Sequence, residues 1–161
     1  MFQEPRLLPW RSVEQNVRLA LPHSLQNQSL SRLFSELGIE HVKQFFPNEL
    51  SLGLARRVAL ARAYALEPEL LILDEPFVSL DDATADRLRQ LLSMLCQSRP
   101  TTSLMVTHNL IEAVTLADRI IVLSKRPSFI LEDVLIDLKQ NERTEKDIAD
   151  VVAYIKSIQE S

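Results

Sequence analysis

Three side chains in this sequence combine type and position in a way that suits phosphate chemistry: Asp74, Glu75 and His108. The two carboxylates close an apolar run, Leu70-Leu71-Ile72-Leu73, and Pro76 follows them. Four aliphatic residues without alternation predict a strand buried on both faces, as in parallel sheets covered by helices. The acids then stand at its carboxyl end, the edge where open α/β sheets bind ligands, and the proline keeps the strand from running past it. One acid there could hold a divalent cation while its neighbour polarises a water. An acidic turn after an ordinary buried strand is the plainer alternative. His108 ends a second strand candidate, residues 101–107, whose Leu104, Met105 and Val106 are bounded by threonines. Alone it reads as a structural hydrogen-bonder. Aimed at the same edge as a carboxylate pair, it becomes a reasonable phosphate contact.

The elements that must position these groups can be read from periodicity. Residues 1–10 read as a loop, with Pro5 and Pro9 bracketing Leu7 and Leu8. Ser12 caps a helix carrying Val13, Val17, Ala20 and Leu21 until Pro22, and Leu30, Leu33, Phe34 and Leu37 form a second apolar stripe closed by Gly38. Asn48 or Ser51 opens a longer helix to Ala65, with Leu54, Val58, Ala61 and Ala65 on one face and arginines on the other. Asp81 or Asp82 caps a helix that turns Leu88, Leu91, Leu92 and Leu95 to the core. A short helix through Leu110, Ala113, Val114 and Ala117 leads to a third strand at 120–123, then a strand or hairpin half within 129–138, and Ile148, Val151, Val152, Ile155 and Ile158 mark a terminal helix. Alternating strands and helices of this length imply an α/β fold with parallel pairing and right-handed crossovers.

Composition narrows the function classes. At 161 residues and 46% hydrophobic, the chain has the length of one domain and enough apolar material for a core. A net charge of −4 argues against a general nucleic-acid binder, although Arg56-Arg57 is a local basic pair. Cys96 is the sole cysteine, so no internal disulfide or cysteine-based zinc site can form, which fits a reducing cytoplasm. No apolar run approaches the ~20 residues that span a bilayer. Glycine occurs only at positions 38 and 53, so no G-x-x-x-x-G-K-[ST] phosphate loop can be written.

The order of segments resembles the nucleotide-binding ATPase subunits of ATP-binding cassette transporters, with a P-loop NTPase-like parallel core and an inserted helical subdomain. Residues 70–75 are similar to the Walker B strand, Val78-Ser79-Leu80-Asp81 to the D-loop, His108 to the switch histidine, and Phe2-Gln3-Glu4 to the Q-loop. Glu49-Leu50-Ser51-Leu52-Gly53 with Arg57-Val58-Ala59-Leu60-Ala61-Arg62-Ala63 resembles the family signature and its helix. Leu7-Leu8-Pro9-Trp10 and Leu123-Ser124-Lys125-Arg126-Pro127 resemble the importer branch serving nitrate, sulfonates and taurine. The resemblance divides the chain into a Q-loop segment (1–10), a helical subdomain with the signature helix (11–66), a core from Walker B to the switch histidine (67–124) and a carboxyl-terminal strand and helix (125–161).

It also implies roles. Asp74 would hold magnesium and Glu75 would orient or deprotonate the attacking water. Gln3 would bind the metal or that water, and His108 would touch the γ-phosphate. Ser51 and the amide of Gly53 would contact ATP held on a second ATPase subunit, and Asp81 would communicate across that interface. A transmembrane permease subunit and, indirectly, a periplasmic solute-binding protein are the implied partners, with the subunit on the inner face of the membrane. Leu7, Leu8 and Trp10 could floor a groove for a short permease helix.

Two departures qualify this picture. Leu52 stands where the family usually has glycine, and its side chain could crowd a phosphate or forbid a positive φ. The family's phosphate loop lies upstream of the Q-loop, so the resemblance predicts that this chain lacks the main phosphate cradle, binds ATP poorly alone, and misses a strand between those ending at His108 and starting at Ile120. Low stability of the isolated chain follows from unpaired strand edges. A catalytically inactive module that docks on a membrane subunit or a complete ATPase is the alternative function. An ATPase of the same superfamily acting on DNA or translation is disfavoured, because no coiled-coil insertion or basic surface is present.

Overall fold

The computed structural model describes residue 1, residues 4–98 and residues 101–160, and these form two compact units, 1–106 and 107–161. In the first, α1 (Val13–Arg18) starts where Ser12 Oγ accepts from Gln15 N while Gln15 Oε1 accepts from Ser12 N, a reciprocal cap that satisfies two orphan donors. The helix is shorter than its apolar pattern, because the chain turns at Val17–Leu21 before Pro22. α2 (Ser31–Glu36) ends at Gly38, whose φ of +64° lets its N–H reach Ser35 O while Ile39 N–H reaches Phe34 O. The phenyl of Phe34 and the side chain of Ile39 are both buried at this cap.

α3 (Leu52–Tyr64) opens at Ser51 rather than Asn48. The expectation that its arginines lie opposite the apolar face is corrected at Arg56, which is 2% exposed, while Leu54 is only half-buried. β1 (Leu70–Asp74) and β2 (Thr102–Val106) pair in parallel, with Ile72 beside Leu104 and Asp74 beside Val106. Between them α4 (Asp82–Ser98) turns Leu88, Leu92 and Leu95 into the core, with Leu91 half-buried. The prediction that β1 is buried on both faces also needs correction. Leu71 and Leu73 are buried, but Leu70 and Ile72 are more than half exposed, and Leu104 and Val106 of β2 continue the same open face.

The second unit begins with α5 (Leu110–Leu116) and continues through β3 (Arg119–Leu123), β4 (Ile130–Leu135) and α6 (Glu145–Glu160). The ambiguous 129–138 stretch resolves as the second half of an antiparallel hairpin with β3. Val114, Val122 and Ile155 form its buried centre, flanked by Leu110, Ile120, Leu131, Val134, Ile148 and Val151. The terminal helix read in residues 148–158 therefore supplies part of this core. Arg143 completes the packing by donating from Nη1 to the carbonyls of Val114 and Thr115, filling the unsatisfied carboxyl end of α5 with positive charge.

Candidate active site

The parallel register puts the carboxyl ends of β1 and β2 at one edge, with Asp74 on the open face. Glu75 extends the ladder by one bond, its N–H donating to Val106 O at 2.9 Å, and it does so at a φ of +43°. A non-glycine residue in the left-handed region is strained, and such strain persists where surrounding bonds over-determine it. β1 ends at Asp74, and Glu75 leaves strand geometry. Asp74 is exposed and Glu75 half-buried. On the outer edge of β1, Met1 runs alongside: its ammonium donates to Ile72 O and its carbonyl accepts from Asp74 N at 3.0 Å. Burial lowers the pKa of that ammonium, and the Asp74 carboxylate opposes the shift. Gln3 lies outside the described residues.

Among the described residues no group of three or more His, Cys, Asp or Glu side chains could hold a metal ion. Magnesium does not require one. It keeps several waters and is bound by one or two carboxylates together with substrate phosphates. An exposed carboxylate with a second acid adjacent in sequence at a strand's carboxyl end is a donor set that fits this habit.

The predicted signature and D-loop residues converge on one another. Ser51 caps α3, its Oγ accepting from Leu54 N at 3.3 Å, and the hydroxyl proton remains available to a ligand oxygen. Leu52, 42% exposed, opens the helix; its φ is not positive, so the feared backbone conflict does not arise. One residue further, a Cβ added to Gly53 would meet Thr84 Cγ2 at 2.6 Å. Thr84 belongs to the first turn of α4 and donates its N–H to Asp81 Oδ1 at 3.0 Å, which makes Asp81 the cap of that helix. Hydrogen bonds from Thr84, the side-chain one first, hold the Asp81 carboxyl below its ordinary pKa. Ser51, Gly53 and Asp81 are thus tied together through the contact of two helix starts.

Arginines of α3 bind the same neighbourhood by backbone carbonyls. Arg56 Nη2 donates to Val78 O at 3.0 Å, between Glu75 and Asp81, and its Nε and Nη1 have no hydrogen-bond partner among the described residues. Burial pushes its pKa down, with Glu4 opposing. Arg62 donates from Nη2 to Pro5 O and from Nη1 to Arg6 O, anchoring the chain that leaves the predicted Q-loop.

In the second unit His108 is exposed and lies two residues beyond β2. Its neighbours are bound to a residue that sequence reasoning passed over. Glu112, 7% exposed, accepts from Thr107 Oγ1 at 2.9 Å and from Asn109 Nδ2 at 3.2 Å. The Asn109-x-x-Glu112 spacing, which is that of a helix capping box, was the available signal. No comparable signal marks Asn16. Fully buried, it donates from Nδ2 to the carbonyls of Leu8, Arg11 and Ser12, and accepts at Oδ1 from Leu8 N at 2.7 Å. It shapes the loop that carries Trp10, which is 69% exposed.

Known proteins match this arrangement. A family model described as "ABC transporter" matches residues 1–78. The chain is 49% identical over 123 residues to an aliphatic sulfonates import ATP-binding protein of Frankia alni, covering 76% of this chain and 50% of that protein. It is 39% identical over 139 residues to a protein of the same name from Pseudomonas syringae pv. tomato, covering 86% of this chain and 60% of that one. The chain therefore spans half to three fifths of the length of these relatives. Among solved structures, cbiO1 of Clostridium perfringens, part of the ABC transporter complex cbiONQ, superposes with a TM-score of 0.72 at 26% identity over 95% of this chain and 61% of its own. A dimeric post-hydrolysis structure of the ATP-binding cassette MJ0796, bound to ADP and Pi, gives a TM-score of 0.61 at 30% identity, covering 74% of this chain and 56% of that one. Over the length it shares with these proteins, the chain is similar to the ATP-binding proteins of ABC transporters.

Proposed function

We propose that this chain contributes to the ATP-binding and ATP-hydrolysing subunit that energises an ABC importer, with aliphatic sulfonates as the solute class. The observation that carries the reading is the strained Glu75, pinned beside Asp74 at the carboxyl edge of a parallel pair, in a chain similar to importer ATP-binding proteins. Bound ATP with magnesium would supply the transferable phosphoryl group and the charge that neutralises it. Asp74 holds the metal, with Gln3 as a second contact to the metal or to the attacking water. Glu75 orients that water and accepts its proton, and His108 hydrogen-bonds the γ-phosphate. Ser51 and the Gly53 amide face ATP on a second ATPase subunit, because the start of α3 offers free N–H groups and positive potential to an anion. Asp81, capping the helix against which Gly53 packs, links that interface to the segment following Glu75. The exposed Trp10 with Leu7 and Leu8 receives the permease subunit, which places the protein on the inner face of the membrane; a periplasmic solute-binding protein acts through the permease, and nucleic acid is no partner.

The test is Glu75→Gln in the complete subunit assembled with its permease. Turnover should fall about 10²-fold or more, the scale of a lost general base, while ATP binding persists. Retained turnover would remove Glu75 from this role. The inactive docking module has less support, since the similar proteins from Frankia alni and Pseudomonas syringae carry the name of ATP-binding proteins.

A further inference from the structure

We propose that Glu112 is a positioning residue for His108, an inference that rests on the reading of His108 as a γ-phosphate contact. The carboxylate does not act as an ordinary cap. In a capping box the third helical residue accepts from the backbone N–H of the cap residue. Here that N–H, from Asn109, donates instead to Thr107 Oγ1 at 3.0 Å. The first-turn amides of Ile111 and Glu112 are already taken by Asn109 Oδ1, at 3.0 and 3.3 Å. These amides are therefore satisfied without the carboxylate. Its two oxygens reach back past the helix to Thr107 Oγ1 and Asn109 Nδ2, the residues on either side of His108.

Burial sharpens the point. A carboxylate taken out of water is costly unless hydrogen bonds replace its hydration, and these two charge-assisted bonds provide that replacement. A side chain kept there only for packing would be better apolar. The consequence is a closed ring of bonds, Thr107 to Glu112 to Asn109 to Thr107, with exposed His108 as the residue it straddles. The side chains of both residues that flank His108 are bonded to a buried anchor while His108 itself is exposed. That is how a group is held for a ligand, since displacement of about 1 Å can cost a reaction 10²-fold.

The experiment uses the full chain, isotopically labelled, and reads amide exchange together with the His108 ring resonances. Glu112→Gln and Thr107→Val should each speed exchange of the Asn109 amide about tenfold and shift the His108 ring signals, with the Ala113 and Ala117 amides inside α5 unchanged. Thr107→Ser, which keeps the hydroxyl, should restore both readouts. Unchanged Asn109 and His108 signals in the first two variants would overturn the proposal. So would loss of Ala113 and Ala117 protection in both, because the carboxylate would then be a prop of the helix alone. Normal turnover of His108→Ala in the complete subunit is a separate result: it would remove His108 from catalysis and leave the measured restraint standing.

Discussion

At Gly53 the decisive quantity is a distance of 2.6 Å between an imagined Cβ and Thr84 Cγ2. The glycine is helical, so its value here is lack of bulk rather than conformational freedom, and the β-branched Thr84 has no slack to yield. Gly53→Ala should therefore cost about 1–3 kcal/mol by overpacking, measured by urea denaturation. Thr84→Ser should recover much of that loss in the double variant, because it removes the opposing methyl. Additive costs in the cycle would mean that the two helix starts do not touch. The sequence made Gly53 a candidate for an amide contact to phosphate; the close approach of α4 was invisible to it, because Thr84 is 31 residues away and carries no motif.

At the scale of elements, polar side chains that bond to backbone decide where loops go. Asn16 makes four such bonds and fixes residues 8–12 against α1. Asn16→Ala would strand buried backbone groups and should destabilise the chain by about 2–3 kcal/mol, with faster exchange at the Leu8 amide. Little change in the urea midpoint would show that water replaces the amide readily. Arg62 works in the same way on Pro5 and Arg6, and Arg56 on Val78, so one helix reaches the segments that follow Gln3 and Glu75. Periodicity located α3 correctly but mistook Arg56 for a solvated side chain. A buried arginine on an apolar face has no signature in spacing, since its partner is a carbonyl of a loop whose position only the fold defines.

At the scale of the whole molecule, the largest discrepancy is the open face of β1 and β2. Leu70, Ile72, Leu104 and Val106 are each more than half exposed on adjacent strands of one pair. Contiguous apolar surface of this kind promotes association. The purified chain should self-associate with rising concentration, and Ile72→Lys with Leu104→Lys should shift it toward monomer in light scattering. Association that ignores both substitutions would place the sticky surface elsewhere, for instance on the exposed Ile130 and Leu135 of the hairpin. The apolar run at 70–73 correctly announced a strand, and its lack of alternation announced a site meant for cover. Whether cover is present is a property of the surrounding structure.

The sequence by itself determined the order of the main elements, the cap at Ser12, a pair of candidate caps for each of α3 and α4, the turn at Gly38, and the adjacency of Asp74 and Glu75 at a strand end. These follow from local steric and hydrogen-bonding rules that act over a few residues. Tertiary structure alone decided that Glu75 takes a left-handed backbone against Val106, that Gly53 meets Thr84, that Arg56 is buried on Val78, and that the carboxylate of Glu112 reaches behind its helix to both neighbours of His108. The first three join residues from 22 to 31 positions apart in sequence. In the fourth the spacing is short, but the unusual direction of the bonds depends on burial, and burial is set by what packs around α5.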